Sequence, residues 1–159
     1  MEPTAYAPVV DTLERIPTIV VPLVREMPEA LRRRRPRPDK WSAHEHACHL
    51  ASVHPVFFER LDLMLENEHP TLRPFLPEQD DPEGLKLQGD LDEALDRFTR
   101  DRAELVRRFR ALQPEDWDRT AEHGECTHYS LFILARHAAL HDMLHAYRIE
   151  ELVLKKDWE

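Results

Sequence analysis

Apolar residues recur three and four positions apart in four long segments of the chain. These segments cover about residues 9–30, 42–66, 91–112 and 127–154. Such spacing places the apolar side chains on one face of a helix, which a globular protein buries. Four amphipathic helices with short and long connections predict an all-α fold, an up-down four-helix bundle.

Several polar residues and prolines predict where these helices begin, bend and end. Ser42 can cap the second helix, and Glu45, three residues later, can complete a capping box. Proline removes a backbone donor and crowds the preceding turn, so Pro17 and Pro22 predict a kink or break in the first helix. Pro55 predicts a bend in the second helix for the same reason. Thr127 is the expected cap of the fourth helix.

The connection between the second and third helices, residues 67–89, contains four prolines. A loop of this length inside a compact domain is usually a lid, a binding loop or a disordered link. The pattern does not choose among these three.

The composition supports one helical domain over residues 1–159. A chain of 159 residues can bury a single core without disulfides or metals. Three glycines and thirteen prolines disfavour a β-rich protein, because tight hairpins need glycine. Cys48 and Cys126 form no C-x-x-C pair, so we expect reduced, partly buried thiols.

Charge and hydropathy narrow the class of partner and the location. Lys and Arg number 22 against 31 Asp and Glu, a net charge of −9, so we expect no nucleic-acid partner. No apolar run approaches the roughly 20 residues of a membrane span. The first residues also lack a basic stretch followed by an apolar run. We therefore expect a cytoplasmic protein that does not bind membranes.

The candidate chemistry comes from ten histidines. In the fourth helix, His137, His141 and His145 follow one another at i, i+4 spacing. Residues four apart lie above one another on a helix, so two of these imidazoles can converge on one ion. Histidines buried in a core or exposed on a surface are the alternatives.

The second helix offers further ligands in the sequence HEHACHL, residues 44–50. It is not the H-E-x-x-H motif of zinc peptidases, because Cys48 stands where the second histidine is needed. His49 lies a full turn inside the helix and is the best-placed ligand. We expect His44 and His46 on the surface of the first turn, and Cys48 as a small core residue.

Two other catalytic designs fit less well. A di-iron carboxylate bundle needs two E-x-x-H pairs inside helices. Glu66 with His69, and Glu125 with His128, have the spacing but lie at or beyond predicted helix ends. A Ser-His-Asp hydrolase is disfavoured because the chain has no G-x-S-x-G elbow.

At this point the sequence resembles the DinB/YfiT-like family, bacterial four-helix bundles regarded as metal-dependent enzymes. The resemblance extends over most of the chain and rests on two motifs, W-S-x-x-E-x-x-x-H-L and H-D-x-x-H followed by Ile. In this sequence the motif residues are Trp41, Ser42, Glu45, His49 and Leu50, then His141, Asp142, His145 and Ile149. The family's three metal ligands fall on His49, His141 and His145.

The resemblance implies a function as well as a fold. It implies one divalent ion, with zinc or nickel first among the metals that suit imidazole. It also implies a small-molecule substrate, and activity as a transferase that uses a low-molecular-weight thiol or as a hydrolase. Homodimers are common in the family, and Phe57, Phe58 and Leu61 cover more than one side of the second helix. A non-catalytic helical dimer that binds a metal or small ligand is the alternative.

Three neutral imidazoles leave a dication with its full charge and an open position, which is typical of a catalytic site. Its occupancy should fall below about pH 6, because a protonated imidazole cannot coordinate. Glu45 and Asp142 are candidate proton carriers or partners of the ligands. Arg148 stands where the family usually has Gln. It either pairs with an acidic neighbour or binds a substrate carboxylate beside the metal.

Overall fold

The computed structural model describes residues 2–74 and 84–158. Its elements in chain order are α1 (Pro3–Glu26), α2 (Glu29–Arg32), α3 (Ala43–Ser52), α4 (His54–Glu66), β1 (Thr71–Leu72), α5 (Leu85–Gln88), α6 (Leu91–Arg110), a short 3-10 helix (Asp116–Asp118), β2 (Thr120–His123), β3 (Cys126–Ser130) and α7 (Leu131–Val153). Residues 75–83, within the connection that was a candidate lid, lie outside the described residues.

Four long helical segments form the bundle and confirm the predicted fold class. They are α1, the consecutive pair α3 and α4, α6, and α7. Both α1 and the α3–α4 pair pack against α6 and α7. The buried side chains form two apolar clusters, one around Leu13, Phe57 and Phe109 and one around Val20, Phe98 and Ile149.

None of the described helices is long and apolar enough to cross a membrane.

The first helix runs through its internal prolines. Pro17 and Pro22 both lie inside α1, which ends only at Glu26. Of the predicted kink or break at these residues, the break is therefore wrong. Pro17 is itself buried, and Leu13 and Val20 beside it are fully buried. Burial of such side chains stabilises by about 1.5–3 kcal/mol each, which offsets the loss of one helical hydrogen bond.

The second helical segment begins and bends where the sequence predicts. Ser42 Oγ accepts a hydrogen bond from the Glu45 backbone N–H (3.2 Å), and Glu45 Oε2 accepts one from the Ser42 backbone N–H (2.9 Å). This is the predicted capping box. The helix is interrupted at Val53, and Pro55 lies in the first turn of α4.

A small sheet, absent from the sequence prediction, lies before the fourth helix. Strand β1 pairs in parallel with β2, and β2 pairs antiparallel with β3. Thr127 therefore lies inside β3, and its predicted role as a helix cap is wrong. The cap is Ser130, whose Oγ accepts a hydrogen bond from the Ile133 backbone N–H (3.3 Å). Strands of two to five residues are too short for alternation to reveal them.

The apolar residues of α4 that suggested a dimer belong to the core of one chain. Phe57 and Leu61 are buried, and Phe58 packs against the same cluster. The exposed large apolar side chains of the bundle concentrate instead on α7, at Leu140, Met143, Leu144 and Tyr147. The apolar residues of α4 therefore give no reason to expect a dimer interface, and a homodimer stays a prediction.

The dimer prediction is checked by sedimentation velocity at micromolar concentration. We expect a species of twice the 18.8 kDa mass of the chain. A single species of the monomer mass across the concentration series would contradict it.

Candidate metal centre

Three histidines from two helices converge at one point of the bundle. His49 comes from the last turn of α3, while His141 and His145 lie one turn apart on α7. One ring nitrogen from each lies within 4.8 Å of the other two. The closest pair is His49 Nε2 and His141 Nε2, 2.9 Å apart. The structure thus brings together the three residues that the sequence proposed as ligands.

Burial keeps the imidazoles of His49 and His145 neutral. His49 and His145 are buried and His141 is partly buried. Burial, with a smaller contribution from His141, lowers the pKa of His49 to about 3. The pKa of His145 is also lowered well below its usual value, by burial and then by the neighbouring histidines. Neutral imidazoles carry the free lone pair that metal coordination requires.

Asp142 fixes the orientation of one candidate ligand. Its Oδ1 lies 3.2 Å from His141 Nδ1, so the other ring nitrogen of His141 faces His49. A carboxylate on the far nitrogen is typical of metal-binding histidines. Oδ2 of Asp142 accepts a hydrogen bond from the Arg102 guanidinium, and both residues are almost fully buried. Asp142 lies behind His141 and does not line the cavity described below.

Arg102 was not among the site residues predicted from the sequence, although the sequence carries a signal for it. It lies on the apolar face of α6, four residues after Phe98 and three before Leu105, both fully buried. The guanidinium carbon lies 5.8 Å from the ring centroid of Phe98 and 6.0 Å from that of Phe57. A charge in an apolar stripe requires a buried partner, which here is Asp142.

Glu45, a candidate catalytic residue, is occupied by structural contacts. It caps α3 through Ser42, and the Arg35 guanidinium donates to both of its carboxylate oxygens. Burial alone would raise the pKa of Glu45, but the hydrogen bonds from Arg35 and Ser42 lower it. The side chain is fully buried and does not line the histidine cavity. Its part in proton transfer stays a prediction.

His44 and His46 were expected on the surface, and the structure corrects both. His44 is only 1% exposed, because α5 packs against α3 and the backbone of Lys86 and of Gly89 lies beside the His44 imidazole. His46 is half-buried beside the Trp41 ring, with Nδ1 lying 2.8 Å from His145 Nδ1. Burial is the main reason that the pKa of His46 is lowered to about 4. The elements that cover His44 and His46 are α5 and α7, which lie far from α3 in the sequence. The local sequence pattern therefore could not predict that these two histidines are covered.

The cysteines lie away from this centre. Cys48 is buried in α3, as expected of a small core residue, whereas Cys126 is exposed on β3. The expectation that both thiols are partly buried is therefore wrong for Cys126.

A cavity of about 310 Å³ opens beside the three histidines. Its other lining residues come from the loop before α3, from α3–α4, from the β2–β3 hairpin and from α7: Trp41, Val53, Val56, Phe57, Arg60, His123, Glu125 and His137. His137 lies here as its helical spacing suggested. Among the lining residues that the structure describes there is no serine or cysteine.

A second cavity, of about 640 Å³, lies on the other side of Trp41 and His46. Arg148 lines this outer cavity and not the histidine cavity. Its Nη1 donates a hydrogen bond to Glu151 Oε2 at 2.7 Å. Arg148 therefore pairs with an acidic neighbour, which is the first of the two roles expected from the sequence. Its charge nevertheless contributes to lowering the pKa of His46 and His145. Arg148 is therefore close to the histidines without sharing their cavity.

The substitution Arg148→Gln tests what this residue does. An exposed ion pair contributes about 0–1 kcal/mol, so we expect little change in the free energy of unfolding and in metal content. If Arg148 binds substrate, KM for a carboxylate-bearing substrate should rise while stability is kept. Loss of stability at unchanged KM would contradict the substrate role.

The fold and the site define a class: helical bundles with a histidine cluster between the second and fourth long helices. The chain belongs to the DinB superfamily, whose family model matches residues 12–149. Among solved structures it is similar to YfiT from Bacillus subtilis, described as a probable metal-dependent hydrolase with an unusual four-helix bundle topology. The two share 20% identity with a TM-score of 0.86, over 96% of this chain and 87% of that one. No curated protein sequence matches the chain.

Proposed function

We propose that this protein is a metal-dependent enzyme that acts on a small molecule in the cytoplasm, either as a hydrolase or as a thiol-dependent transferase. In this proposal His49, His141 and His145 hold one divalent ion. The convergence of these imidazoles on the wall of a cavity of small-molecule size carries the proposal. The description of YfiT as a probable metal-dependent hydrolase supports it.

The donor set suits a divalent ion. Three neutral imidazoles fit zinc or nickel and leave the charge of the ion uncompensated. When bound, such an ion supplies a Lewis acid that activates water or a small thiol. Asp142 holds the ring of His141 in place, and Trp41 and Phe57 contribute apolar walls to the cavity.

The source of the nucleophile follows from the cavity lining. Serine and cysteine are absent from the described lining residues, so the chain itself offers no hydroxyl or thiol beside the histidines. Water or a thiol cosubstrate must then enter from solution. Hydrolysis corresponds to the first case and thiol transfer to the second.

The test begins with protein purified without an affinity tag and analysed for metals. We expect close to one equivalent of a divalent ion. The protein is then assayed with p-nitrophenyl esters for hydrolysis and with chlorodinitrobenzene plus several cellular thiols for transfer, using His141→Ala as the inactive control. Turnover in either assay that requires the ion supports an enzyme. Metal without turnover favours the non-catalytic alternative. Absence of metal uptake contradicts the enzyme and leaves, of the alternative, only a helical dimer that binds a small ligand.

Metal occupancy should depend on pH, because protons and metal compete for the same nitrogens. A ligand with the ordinary histidine pKa would begin to release the ion below about pH 6. In this chain burial lowers the pKa of His49 to about 3, so the neutral form persists at lower pH. We expect half of the metal to be lost only at about pH 5 or below. Equilibrium dialysis between pH 7 and 4 measures this, and half-loss at pH 6.5 would contradict it.

A further inference from the structure

The histidine cavity contains a buried cation, Arg60, that forms no ion pair with a carboxylate among the residues that the structure describes. Arg60 lies on α4, lines the cavity and is only 6% exposed. Its Nη2 donates to the Arg73 backbone carbonyl at 2.9 Å. Within the described part of the chain, no Asp or Glu oxygen lies within 4.0 Å of its guanidinium. Arg102, buried to a similar degree, has Asp142 as its partner.

Burial of a charge without a counterion lowers the stability of the folded protein, so the presence of Arg60 here calls for an explanation. The bond to the Arg73 carbonyl uses one of the five N–H donors of a guanidinium and leaves the charge intact. Glu125 lines the same cavity, but its carboxylate forms no ion pair with Arg60. The other neighbouring titratable groups, His123, His137 and Tyr129, carry no negative charge that could neutralise it. Burial first, and the charge of Arg60 in addition, lower the pKa values of His123 and His137. Burial raises the pKa of Tyr129, against the opposing effect of Arg60, so this phenol is neutral.

Arg60 and the histidine triplet (His49, His141 and His145) all line this cavity. The charge of Arg60 acts on His123 and His137, whereas His145 contacts His46 and the Trp41 ring. His137 and His145 are eight residues apart on α7, which corresponds to roughly 12 Å along the helix. His141 lies between them and faces His49. A small molecule can therefore span from the guanidinium to the triplet.

We propose that Arg60 binds a carboxylate of the substrate, and that the cavity selects small molecules with an acidic group at one end and the reacting group at the other. A guanidinium forms paired hydrogen bonds with a carboxylate, and these bonds are stronger in a site that excludes water. The volume of about 310 Å³ limits the ligand to a small acid. This proposal rests on the proposed function, because it needs a metal ion at the histidine triplet to bind the reacting group of the substrate.

The experiment uses cobalt-loaded protein and two hydroxamate probes that bind metal through the same group. Acetohydroxamic acid lacks a carboxylate, and succinic acid monohydroxamate carries one. Binding is followed by the visible spectrum of the cobalt ion. A charge-assisted hydrogen bond contributes enough for about ten- to hundredfold tighter binding of the succinate probe. In Arg60→Met this preference should disappear while the affinity for acetohydroxamic acid stays unchanged.

Two variants separate recognition from structure. Arg136→Gln removes an exposed arginine of α7 that does not line the histidine cavity, and it should keep the preference for the succinate probe. Arg60→Lys retains a cation and should keep part of the preference. This variant serves as the test if Arg60→Met, which loses the hydrogen bond to the Arg73 carbonyl, folds poorly. Equal affinity of the wild type for both probes, or an undiminished preference in Arg60→Met, would overturn the proposal.

Failure of the proposed function has a different signature. If the protein takes up no cobalt, the triplet is not a metal site, and Arg60 is then tested in the metal-free protein. Succinate should raise the melting temperature of the wild type but not of Arg60→Met, and uncharged succinamide should have no effect. Absence of a succinate effect in the metal-free wild type would overturn the Arg60 proposal independently.

Discussion

Alanine at any one of His49, His141 or His145 is expected to remove most of the bound metal. Each variant leaves two imidazoles near a centre that has three, and no other described His, Cys, Asp or Glu completes the cluster. Loss of a contact that only orients a ligand lowers metal affinity by about 10–100-fold, so loss of a ligand should lower it at least as much. Metal content after dialysis, with titration of the metal-free protein, measures the change.

His137→Ala is the matched control for these variants. His137 lies on the same stripe of α7 and lines the same cavity, but it is not part of the triplet. It should therefore keep a full equivalent of metal. The melting temperature of each metal-free variant shows that the fold is retained. If all three triplet variants keep a full equivalent, these residues are not the ligands.

The triplet was predictable from helix geometry together with the resemblance to the DinB/YfiT-like family. His141 and His145 are four residues apart in a clearly amphipathic segment, so they share a face whatever the rest of the fold does. For His49 to join them, the second and fourth helices must pack together, and the resemblance to the DinB/YfiT-like family implied that packing. The capping box at Ser42 is equally local, and the structure shows both of its hydrogen bonds.

Features that depend on contacts remote in sequence were not predictable. Pro17 disfavours a helix locally, but its burial against other helices keeps α1 continuous. His44 is buried only because α5, more than forty residues later, packs on it. The β2–β3 hairpin brings His123 into the cavity, and its strands are too short to show a pattern. For Arg60 the sequence shows a cation next to the buried Leu61 but not which cavity it lines.

The largest loss of stability is expected from Asp142→Ala. This change leaves Arg102 as a buried cation without a counterion, at a position that is 1% exposed. Nε and Nη1 of Arg102 already lack hydrogen-bond partners among the described residues, and burial lowers the pKa of this guanidinium while Asp142 opposes that shift. Removal of one partner of a buried ion pair costs about 3–5 kcal/mol. Urea unfolding of the metal-free protein measures it.

The double variant Asp142→Leu with Arg102→Met separates the two roles of Asp142. Apolar side chains of similar volume remove both buried charges, and such replacements are often neutral or stabilising, so most of the lost stability should return. His141 would still lack the acceptor for its Nδ1, so metal affinity should remain about 10–100-fold below that of the wild type. A double variant as unstable as Asp142→Ala would show that the ion pair is not the cause. Recovery of wild-type metal affinity would instead show that Asp142 does not orient His141, because the only change left at that nitrogen is the missing carboxylate.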